Sequence, residues 1–413
     1  MKLYITLIIF LLLQGSLDSN AQSQKQWRGL DRSGYYPAEK SYEQWPEGGP
    51  ELLVHVENLP ESYSSVVVKD DVLYTTGIKE GDEILTALRP DGSILWSTVF
   101  GRSWDKSYRP ARCTPTIEEN RAYLISGGGS LACVDLLDGK LRWSLEGHST
   151  FGARTGNWGT AESPLIVGER MIYTPCGDQT TMVAVSKHDG SILWTSESLG
   201  DQSGYVSPVL FSSGDLKLII TVTGNYVIGV NALDGEIFWK LDYGSLEDGM
   251  MGADINPVTP LIKGNEIFVT SGYNHVGVML RMASDCRSVE VKWISEDLDV
   301  HHGGVVEVDG YIYGSNYTSI KKGNWLCVDW DSGELKYEQE WQTKGQIITS
   351  GGMLFCYDER RGNMAMLEAT PSGFLPLSEF TVLYGNGPHW SHPSIYEGKL
   401  YLRHGTSLLV YRL

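Results

Sequence analysis

The sequence predicts an all-β fold, a ring of eight four-stranded antiparallel blades that is closed by strands from both ends of the chain. Three observations support this: a recurring hairpin pattern, a strand ahead of each hairpin that is entered through a small residue or proline, and a spacing of about 43 to 52 residues between units. Self-similarity at such a period is typical of blades and other repeat architectures. Tryptophan (13), tyrosine (22) and glycine (47) are abundant, which suits short aromatic strands joined by tight turns.

The hairpin is clearest in "LACVDLLDGKLRW" at 131–143. Its first half alternates as a strand does, Asp138-Gly139 supplies a turn that tolerates positive φ, and the chain then returns antiparallel and reaches a tryptophan. The same pattern recurs as "LTALRPDGSILW" at 85, "MVAVSKHDGSILW" at 182, "VIGVNALDGEIFW" at 227 and "WLCVDWDSGELKY" at 325.

Two further apolar runs precede each hairpin and complete a four-stranded unit. The nearer run is seen in "RAYLIS" at 121, "RMIYTP" at 170, "LKLIIT" at 216, "EIFVTS" at 266, "YIYGS" at 311, "MLFCY" at 353 and "KLYLRH" at 399. The earlier run, predicted to be the innermost strand, is seen in "YSSVVV" at 63, "CTPTI" at 113, "ESPLIV" at 162, "VSPVLF" at 206, "VTPLI" at 258, "HGGVVEV" at 302, "GQIITSGG" at 345 and "SHPSIY" at 391.

The eighth unit lacks an outer strand, because the sequence after "SHPSIY" offers only two more strands. Residues 50–56, "PELLVHV", form an unmatched strand near the other end, and we predict that this strand completes the eighth blade and closes the ring. The predicted organisation is a signal peptide at 1–21, a lead-in segment at 22–49 and a single propeller at 50–413.

The first residues have the pattern of a cleaved secretory signal: Lys2, an apolar stretch at 3–13, and a polar segment that ends at Ala21. The apolar stretch is too short to span a membrane, and no later segment approaches the roughly 20 apolar residues required. Because no cysteine lies near the cleavage point, we expect no lipid anchor. The sequence thus predicts an exported, soluble, monomeric protein of the periplasm or extracellular space.

The formal net charge of −18 argues against a nucleic-acid-binding protein, because such a chain repels phosphate backbones. Cys133 and Cys327 occupy a repeat position that Ala184 fills elsewhere, so we interpret the six cysteines as buried core residues. The tryptophans that recur in the outer strand are interpreted as packing between blades. These are Trp96, Trp143, Trp194, Trp239 and Trp293, with Tyr337 in the same position of the sixth unit.

The repeated hairpin, together with "WRGLDRSGYYP" at 27, "WPEGGPELL" at 45, "NWGTAESP" at 157, "HHGGVV" at 301 and "HWSHPSIYEGKLYLR" at 389, resembles the PQQ-like propeller family. That family includes the quinoprotein alcohol dehydrogenases, which use pyrroloquinoline quinone (PQQ), polyvinyl-alcohol-dehydrogenase-like proteins, and the lipoprotein of the outer-membrane assembly machinery. In the dehydrogenases, adjacent cysteines form a disulfide over the cofactor, Glu and Asn bind calcium, and an Asp is the base. Here the nearest cysteines, Cys113 and Cys133, are 20 residues apart.

Two functions follow from the sequence. The first is a binding module or scaffold for a small molecule, a saccharide or an envelope protein. The alternative is an enzyme: a minimal quinoprotein dehydrogenase that uses the PQQ and calcium implied by the resemblance, or another metal-assisted activity at the ring centre.

The candidate site residues lie in segments that lead into the innermost strands, because these segments surround one mouth of the central channel of a propeller. The candidates are Arg109, Arg112, Arg154, Asn157, Trp158, Glu162, Asp254, Asn256, His301, His302, His389, Trp390 and His392. The arginines suit a carboxylate ligand or hold blades together by ion pairs. Trp158 and Trp390 lie outside the repeated tryptophan position, so they are candidates for stacking on a ring-shaped ligand.

The histidines suggest a metal site or, alternatively, hydrogen-bonding core groups. Successive side chains of a strand point to opposite faces, so we expect that His301 and His302 do not both face the channel axis unless the strand is distorted. A metal would then need ligands from different blades, and His302, His392 and Asp254 are the candidates.

We predict that the signal peptide is cleaved after Ala21, because the small residue follows a polar segment behind the apolar stretch. The intact mass of the exported protein should correspond to a chain that begins at Gln22. A mass that places the first residue elsewhere, or that includes a lipid, would contradict this expectation.

Overall fold

The computed structural model describes residues 24–38, 40–246 and 254–413. These residues form eight sheets arranged as a ring, and each sheet contains a four-stranded antiparallel blade. The eight-bladed β-propeller predicted from the repeat is therefore confirmed. The signal peptide predicted for residues 1–21 lies outside the described part of the chain. Within that part, no helix has the length and apolar character needed to cross a membrane.

The strands follow the chain blade by blade, from the innermost strand outward. Blades 1 to 4 consist of β3 (Val67–Lys69), β4 (Val72–Lys79), β5 (Asp82–Leu88), β6 (Ile94–Arg102); β7 (Thr116–Glu118), β8 (Arg121–Ile125), β9 (Ser130–Asp135), β10 (Leu141–Glu146); β11 (Leu165–Val167), β12 (Arg170–Tyr173), β13 (Val183–Ser186), β14 (Ile192–Thr195); and β15 (Val209–Ser213), β16 (Leu216–Val222), β17 (Tyr226–Asn231), β18 (Ile237–Asp242). A single short helix, α1 (Gly147–Phe151), follows β10 in the described chain.

Blades 5 to 8 repeat this arrangement. They consist of β19 (Leu261–Lys263), β20 (Glu266–Ser271), β21 (His275–Met282), β22 (Val289–Ser295); β23 (Val306–Val308), β24 (Tyr311–Ser315), β25 (Trp325–Asp329), β26 (Leu335–Gln339); β27 (Gly345–Ser350), β28 (Met353–Asp358), β29 (Asn363–Glu368), β30 (Ser378–Thr381); and β31 (Ser394–Tyr396), β32 (Lys399–His404), β33 (Ser407–Arg412), β2 (Leu52–Val56). An additional short strand, β1 (Tyr35–Tyr36), pairs in parallel with β27.

The tryptophans of the outer strands lie between neighbouring blades. The indole Nε1 of Trp143 donates to the Lys187 carbonyl of the next blade at 3.1 Å. A Cβ atom at Gly190, in the Asp-Gly turn of that blade, would lie 2.8 Å from the Trp143 ring. Trp194 and Gly235 repeat this contact. The turn glycine is therefore required for a second reason besides its positive φ, because a tryptophan of the preceding blade packs directly against it.

The ring is closed by antiparallel pairing of β2 with β33, as the unmatched strand at 50–56 predicts. Val54 pairs with Val410, and Val56 pairs with Leu408. The eighth blade thus joins a strand from the beginning of the propeller to three strands from its end, and this pairing ties the two ends of the ring together.

The N-terminal segment, residues 24–36, crosses one end of the central channel, and we call it the plug. Arg28 is buried and donates from Nη1 to the Ile347 carbonyl at 3.0 Å and from Nη2 to the Val305 carbonyl. Its Nη1 also lies 3.1 Å from His392 Nδ1. One guanidinium group therefore joins blades 6, 7 and 8.

Arg32 makes the equivalent contacts on the other side of the ring. It is buried and donates from Nη1 to the Ser163 carbonyl at 3.0 Å and to the Pro208 carbonyl at 2.8 Å. Its Nη2 donates to the Pro164 carbonyl at 2.6 Å and lies 3.4 Å from Thr116 Oγ1. Arg32 therefore joins blades 2, 3 and 4. The segment that the sequence interpretation treats as a lead-in thus holds six of the eight inner strands together.

Replacing Arg32 with leucine should destabilise the propeller by at least about 3 kcal/mol, because each buried carbonyl left without a donor costs about 1–3 kcal/mol. The matched control is Arg102→Leu. Arg102 is an exposed residue of the outer strand β6, and its side chain pairs with Asp82 of the neighbouring strand β5. That control should change the free energy of unfolding by less than about 0.5 kcal/mol. Urea denaturation at neutral pH measures both values, and equal effects of the two substitutions would contradict the role assigned to the plug.

Candidate functional site

A cavity of about 370 Å³ occupies the channel on the side of the plug that Trp27 faces. Its wall is rich in aromatic side chains. The aromatic residues that line it are Trp27, Tyr63, Tyr108, Trp158, Tyr205, Tyr273 and Trp390. Trp27 belongs to the plug, so the plug forms one wall of the cavity.

One position of the repeat supplies most of the wall. In seven blades, the residue four positions before the first residue of the innermost strand lines the cavity. These residues are Tyr63, Arg112, Ala161, Tyr205, Pro257, His302 and Trp390. In blade 7 the innermost strand, β27, is longer and has six residues. The residue six positions before its last residue, which is the corresponding position in the three-residue inner strands, is Lys344. Lys344 pairs with Glu359, which itself lines the cavity. The repeat thus fixes the position, and the residue type at that position differs from blade to blade.

The aromatic side chains contact one another in two groups. The Trp390 ring lies with its centroid 5.1 Å from that of Tyr63 and 5.4 Å from that of Tyr108. The Trp158 ring lies 5.3 Å from that of Tyr205. These spacings are those of tilted aromatic pairs, which hold the rings in fixed orientations around the opening.

His301 and His302 both line the cavity, so the expectation that they face opposite ways is wrong. The physical reason is that they do not belong to a strand: they lie in a bend that precedes β23 and ends in Gly304 with φ +72°. Their ring centroids are 4.3 Å apart. The alternation that governs a strand does not apply to such a bend.

Glu359 completes the polar wall beside the two histidines. Its Oε1 accepts from Lys344 Nζ at 2.6 Å, and its Oε2 lies 3.2 Å from His302 Nε2. Lys344 is buried and also donates to the carbonyls of Ser319 and Ile320. The carboxylate and the ammonium group therefore compensate each other within the protein.

The tautomer of His392 is fixed by its two neighbours. Arg28 donates to Nδ1, so the proton of the neutral ring resides on Nε2, which donates to the His302 carbonyl at 3.2 Å. Burial, with the Arg28 charge adding to it, holds the pKa of His392 well below its usual value. His392 is consequently a neutral group that joins the plug to the cavity wall.

Of the three candidate arginines, Arg112 alone lines the cavity. Its Nη1 donates to the Trp158 carbonyl and its Nη2 to the carbonyls of Ser107 and Tyr108, so its guanidinium group holds the surrounding backbone. Arg109 is exposed and donates to the Asp105 carbonyl.

Arg154 and Asn157 are exposed residues that do not line the cavity. Arg154 pairs with Asp178 at 2.7 Å and donates to the Gly200 carbonyl. The Asn157 carbonyl accepts from Ser107. The arginines therefore do not come together as a carboxylate-binding cluster, because two of the three are used by surface loops.

The remaining candidates serve the blades. Glu162 is buried and accepts from the Thr174 backbone amide at 3.0 Å. Asn256 donates from Nδ2 to the carbonyls of Thr223 and Gly224.

His389 also lies inside the protein rather than on the cavity wall. Its ring stacks on that of His404 at a centroid distance of 3.6 Å, and its Nδ1 lies 2.5 Å from the Tyr357 hydroxyl. Burial lowers the pKa of His389 to about 3.

The metal-ligand set considered from the sequence, His302, His392 and Asp254, does not come together. Asp254 is exposed and accepts from Gln202 Nε2 at 2.8 Å, and both ring nitrogens of His392 already have partners. The group that the described residues do bring together is His301, His302 and Glu359, whose ligand atoms all lie within 4.8 Å of one another.

The wall residues that were not among the candidates include four tyrosines and one carboxylate: Tyr63, Tyr108, Tyr205, Tyr273 and Glu359. The repeat register identifies Tyr63 and Tyr205, since both occupy the position that Arg112 and Trp390 occupy in other blades. Tyr273 and Glu359 follow second strands, β20 and β28, which also end at this mouth of the channel.

The wall does not fit the PQQ and calcium site of the quinoprotein dehydrogenases. All six cysteines are buried and unpaired, and none of them lines the cavity. Among the described wall residues, Glu359 is present without an asparagine or an aspartate beside it. The disulfide and the oxygen ligands that those enzymes use therefore have no counterpart on this wall.

Fold and site define a class of protein: an eight-bladed propeller whose channel is closed at one end and forms an aromatic cavity at the other. The family model described as "Outer membrane protein assembly factor BamB" matches residues 43–158 and 81–339, and the chain belongs to this PQQ-like propeller family.

A curated relative and two solved structures are similar to the chain. Outer membrane protein assembly factor BamB of Moranella endobia is 21% identical over 270 residues, 64% of this chain and 66% of the relative. The crystal structure of BamB from Moraxella catarrhalis has a TM-score of 0.66 at 15% identity and covers 88% of this chain and 100% of its own. The crystal structure of quinohemoprotein alcohol dehydrogenase from Comamonas testosteroni has a TM-score of 0.66 at 11% identity and covers 95% of this chain and 81% of its own.

The buried Glu162 should make stability decrease as the pH rises. Burial raises its pKa from 4.5 to about 8, so between these values the folded chain retains a proton that the unfolded chain has lost. This one group should lower the free energy of unfolding by up to about 1.4 kcal/mol per pH unit. Glu162→Gln should remove that contribution in urea denaturation series between pH 5 and 8.

The matched control is Glu296→Gln, a substitution at an exposed glutamate. This variant should keep the pH dependence of the unchanged protein. A Glu162→Gln variant with the same pH dependence as the unchanged protein would show that Glu162 is ionised in the fold.

Proposed function

We propose that the chain is a ligand-binding propeller whose cavity binds a small ring-shaped molecule. The observation that carries this proposal is the aromatic cavity itself. Its volume of about 370 Å³ lies within the range of small-molecule sites, roughly 300–1,000 Å³. The tryptophans of the outer strands are explained by the contacts between blades. Trp158 and Trp390, in contrast, lie on the cavity wall and are only half-buried.

The wall favours a neutral ligand that has both apolar faces and hydroxyl groups, which is the chemistry of a saccharide unit. The aromatic rings offer flat apolar surfaces on which such a ring can stack. His301, His302 and Glu359 offer hydrogen-bonding atoms at one side. The charged groups near the wall are already engaged: Lys344 pairs with Glu359, and Arg112 donates to carbonyls. Among the described wall residues, an anionic ligand would find no guanidinium group free to bind it.

The second candidate is a scaffold for a protein of the cell envelope. The family membership favours it, because the curated relative is named an outer membrane protein assembly factor. The predicted signal peptide is consistent with export to that compartment. An aromatic or aliphatic side chain of a partner would use the same cavity, so the two candidates are distinguished by the ligand rather than by the site.

Neutral oligosaccharides should raise the thermal unfolding temperature of the protein, since a ligand that binds the native state stabilises it. Trp158→Ala and Trp390→Ala should each remove this increase while leaving a folded propeller, because stacking on these two rings is lost. Trp341→Ala is the matched control: Trp341 is also half-buried, but it packs on Phe374 away from the cavity. That variant should keep the response to the saccharide.

A parallel set of samples separates the alternatives. The unfolding temperature measured with PQQ and calcium, followed by an assay of dye reduction with alcohols, tests whether the protein is a quinoprotein dehydrogenase. A saccharide response that is unchanged in both Trp158→Ala and Trp390→Ala would contradict binding in the cavity. A response to PQQ with calcium, accompanied by dye reduction, would overturn the saccharide proposal in favour of the enzyme.

A further inference from the structure

We propose that His301, His302 and Glu359 form a binding site for one divalent transition-metal ion of the Zn²⁺ type, with an open coordination position that faces the cavity. The inference goes beyond the proposed function and does not depend on it. The ligand atoms of the three residues lie within 4.8 Å of one another. Two imidazoles and one carboxylate, with a fourth position left open, are the ligands of a known class of zinc sites.

The histidine nitrogens provide an independent observation that points to a ligand. His301 Nε2 lies 3.1 Å from the Tyr273 hydroxyl, whereas its Nδ1 is buried and has no hydrogen-bond partner among the described residues. His302 Nε2 is also buried without an aligned hydrogen bond, although it lies 3.2 Å from Glu359 Oε2. Buried polar atoms without partners are uncommon in proteins, and a bound ion is one of the reasons for them.

The backbone holds the two imidazoles on the same side. Gly303 lies so close to β27 that a Cβ atom there would be 1.7 Å from the Gly345 carbonyl oxygen. Gly304 continues the bend with φ +72°, a conformation that side chains other than glycine rarely adopt. The bend is therefore fixed by close packing, and the histidine rings, 4.3 Å apart, are positioned before any ion arrives.

Each of the three residues also contacts a second polar group, as the side chains that bind metal ions in proteins usually do. Glu359 uses Oε1 for Lys344, which leaves Oε2 toward the histidines. The Nδ1 atom of His302 lies 3.5 Å from the side-chain amide of Gln346, and Tyr273 contacts His301. Such partners orient metal-binding side chains and fix which nitrogen binds the ion.

The ligand types select among cations. Calcium prefers six to eight oxygen ligands, and magnesium keeps several water molecules around it. Imidazole nitrogen suits zinc, copper and nickel instead. The Lys344 ammonium lies beside the site and repels any cation, so a pair of nitrogen ligands is needed for stable binding. The site should therefore bind Zn²⁺ and discriminate against Ca²⁺, in contrast to the calcium implied by the quinoprotein resemblance.

The test is titration calorimetry of the tag-free, chelator-treated full chain with ZnCl₂ and with CaCl₂. We expect one Zn²⁺ per chain and no heat of binding with CaCl₂. His302→Gln and Glu359→Gln should each weaken Zn²⁺ binding by at least about 10-fold, the smallest loss typical of a disturbed metal site. Co²⁺ should give a visible absorption band in the unchanged protein that both variants lose.

His188→Gln is the matched control, because the exposed His188 is paired with Glu169 at the surface and is not part of the cluster. It should leave the Zn²⁺ affinity unchanged. His301→Asn provides a second variant, and the unfolding temperature without metal shows that each variant is folded. The proposal is overturned if the unchanged protein binds no Zn²⁺, or if folded His301→Asn and His302→Gln variants bind it as the unchanged protein does.

Discussion

Two buried guanidinium groups at the centre of the ring are the interaction on which the rest of this structure depends. A propeller brings the carbonyl groups that precede its inner strands toward one axis, where they need hydrogen-bond donors. Arg28 and Arg32 supply these donors to carbonyl groups of blades 3, 4, 6 and 7, and they reach blades 2 and 8 through the side chains of Thr116 and His392. The same segment closes the channel, contributes Trp27 to the cavity wall, and fixes His392 through Arg28. The plug thus influences the depth of the cavity, the composition of its wall and the spacing of the blades.

The fold could be predicted because its determinants repeat. The Asp-Gly turn, the tryptophan and the small residue before the inner strand each recur, and the unmatched strand at 50–56 had a partner missing at the other end of the chain. The plug could not be predicted in this way. Arg28 and Arg32 each occur once, and a buried arginine looks like any other arginine until the carbonyl groups around it are known.

The candidate site was predicted in part. Trp158 and Trp390 could be predicted because they lie outside the repeated tryptophan position, and His301 and His302 because they lie in a segment that leads into an innermost strand. All four line the cavity. Arg109 and Arg154 lie in the same loops, but their long side chains reach surface partners. Conversely, Tyr63 and Tyr205 were missed because tyrosine is common in this chain. Counting back from each inner strand finds them, since one repeat position supplies a residue to the cavity from almost every blade.

The position of the plug in the sequence also constrains how the chain acquires its structure. Arg28 contacts groups that lie 319 and 364 residues further along the chain, in blades 7 and 8. During synthesis, these partners are made 319 and 364 residues after Arg28, so the plug reaches its final environment only after blades 7 and 8 have been made. Contacts of such long sequence separation form slowly. Blades 1 to 7 are built from strands that are neighbours in the sequence, so these blades can assemble before the centre does. Blade 8 and the plug both need segments that are far apart in the sequence, so the cavity is completed late in folding.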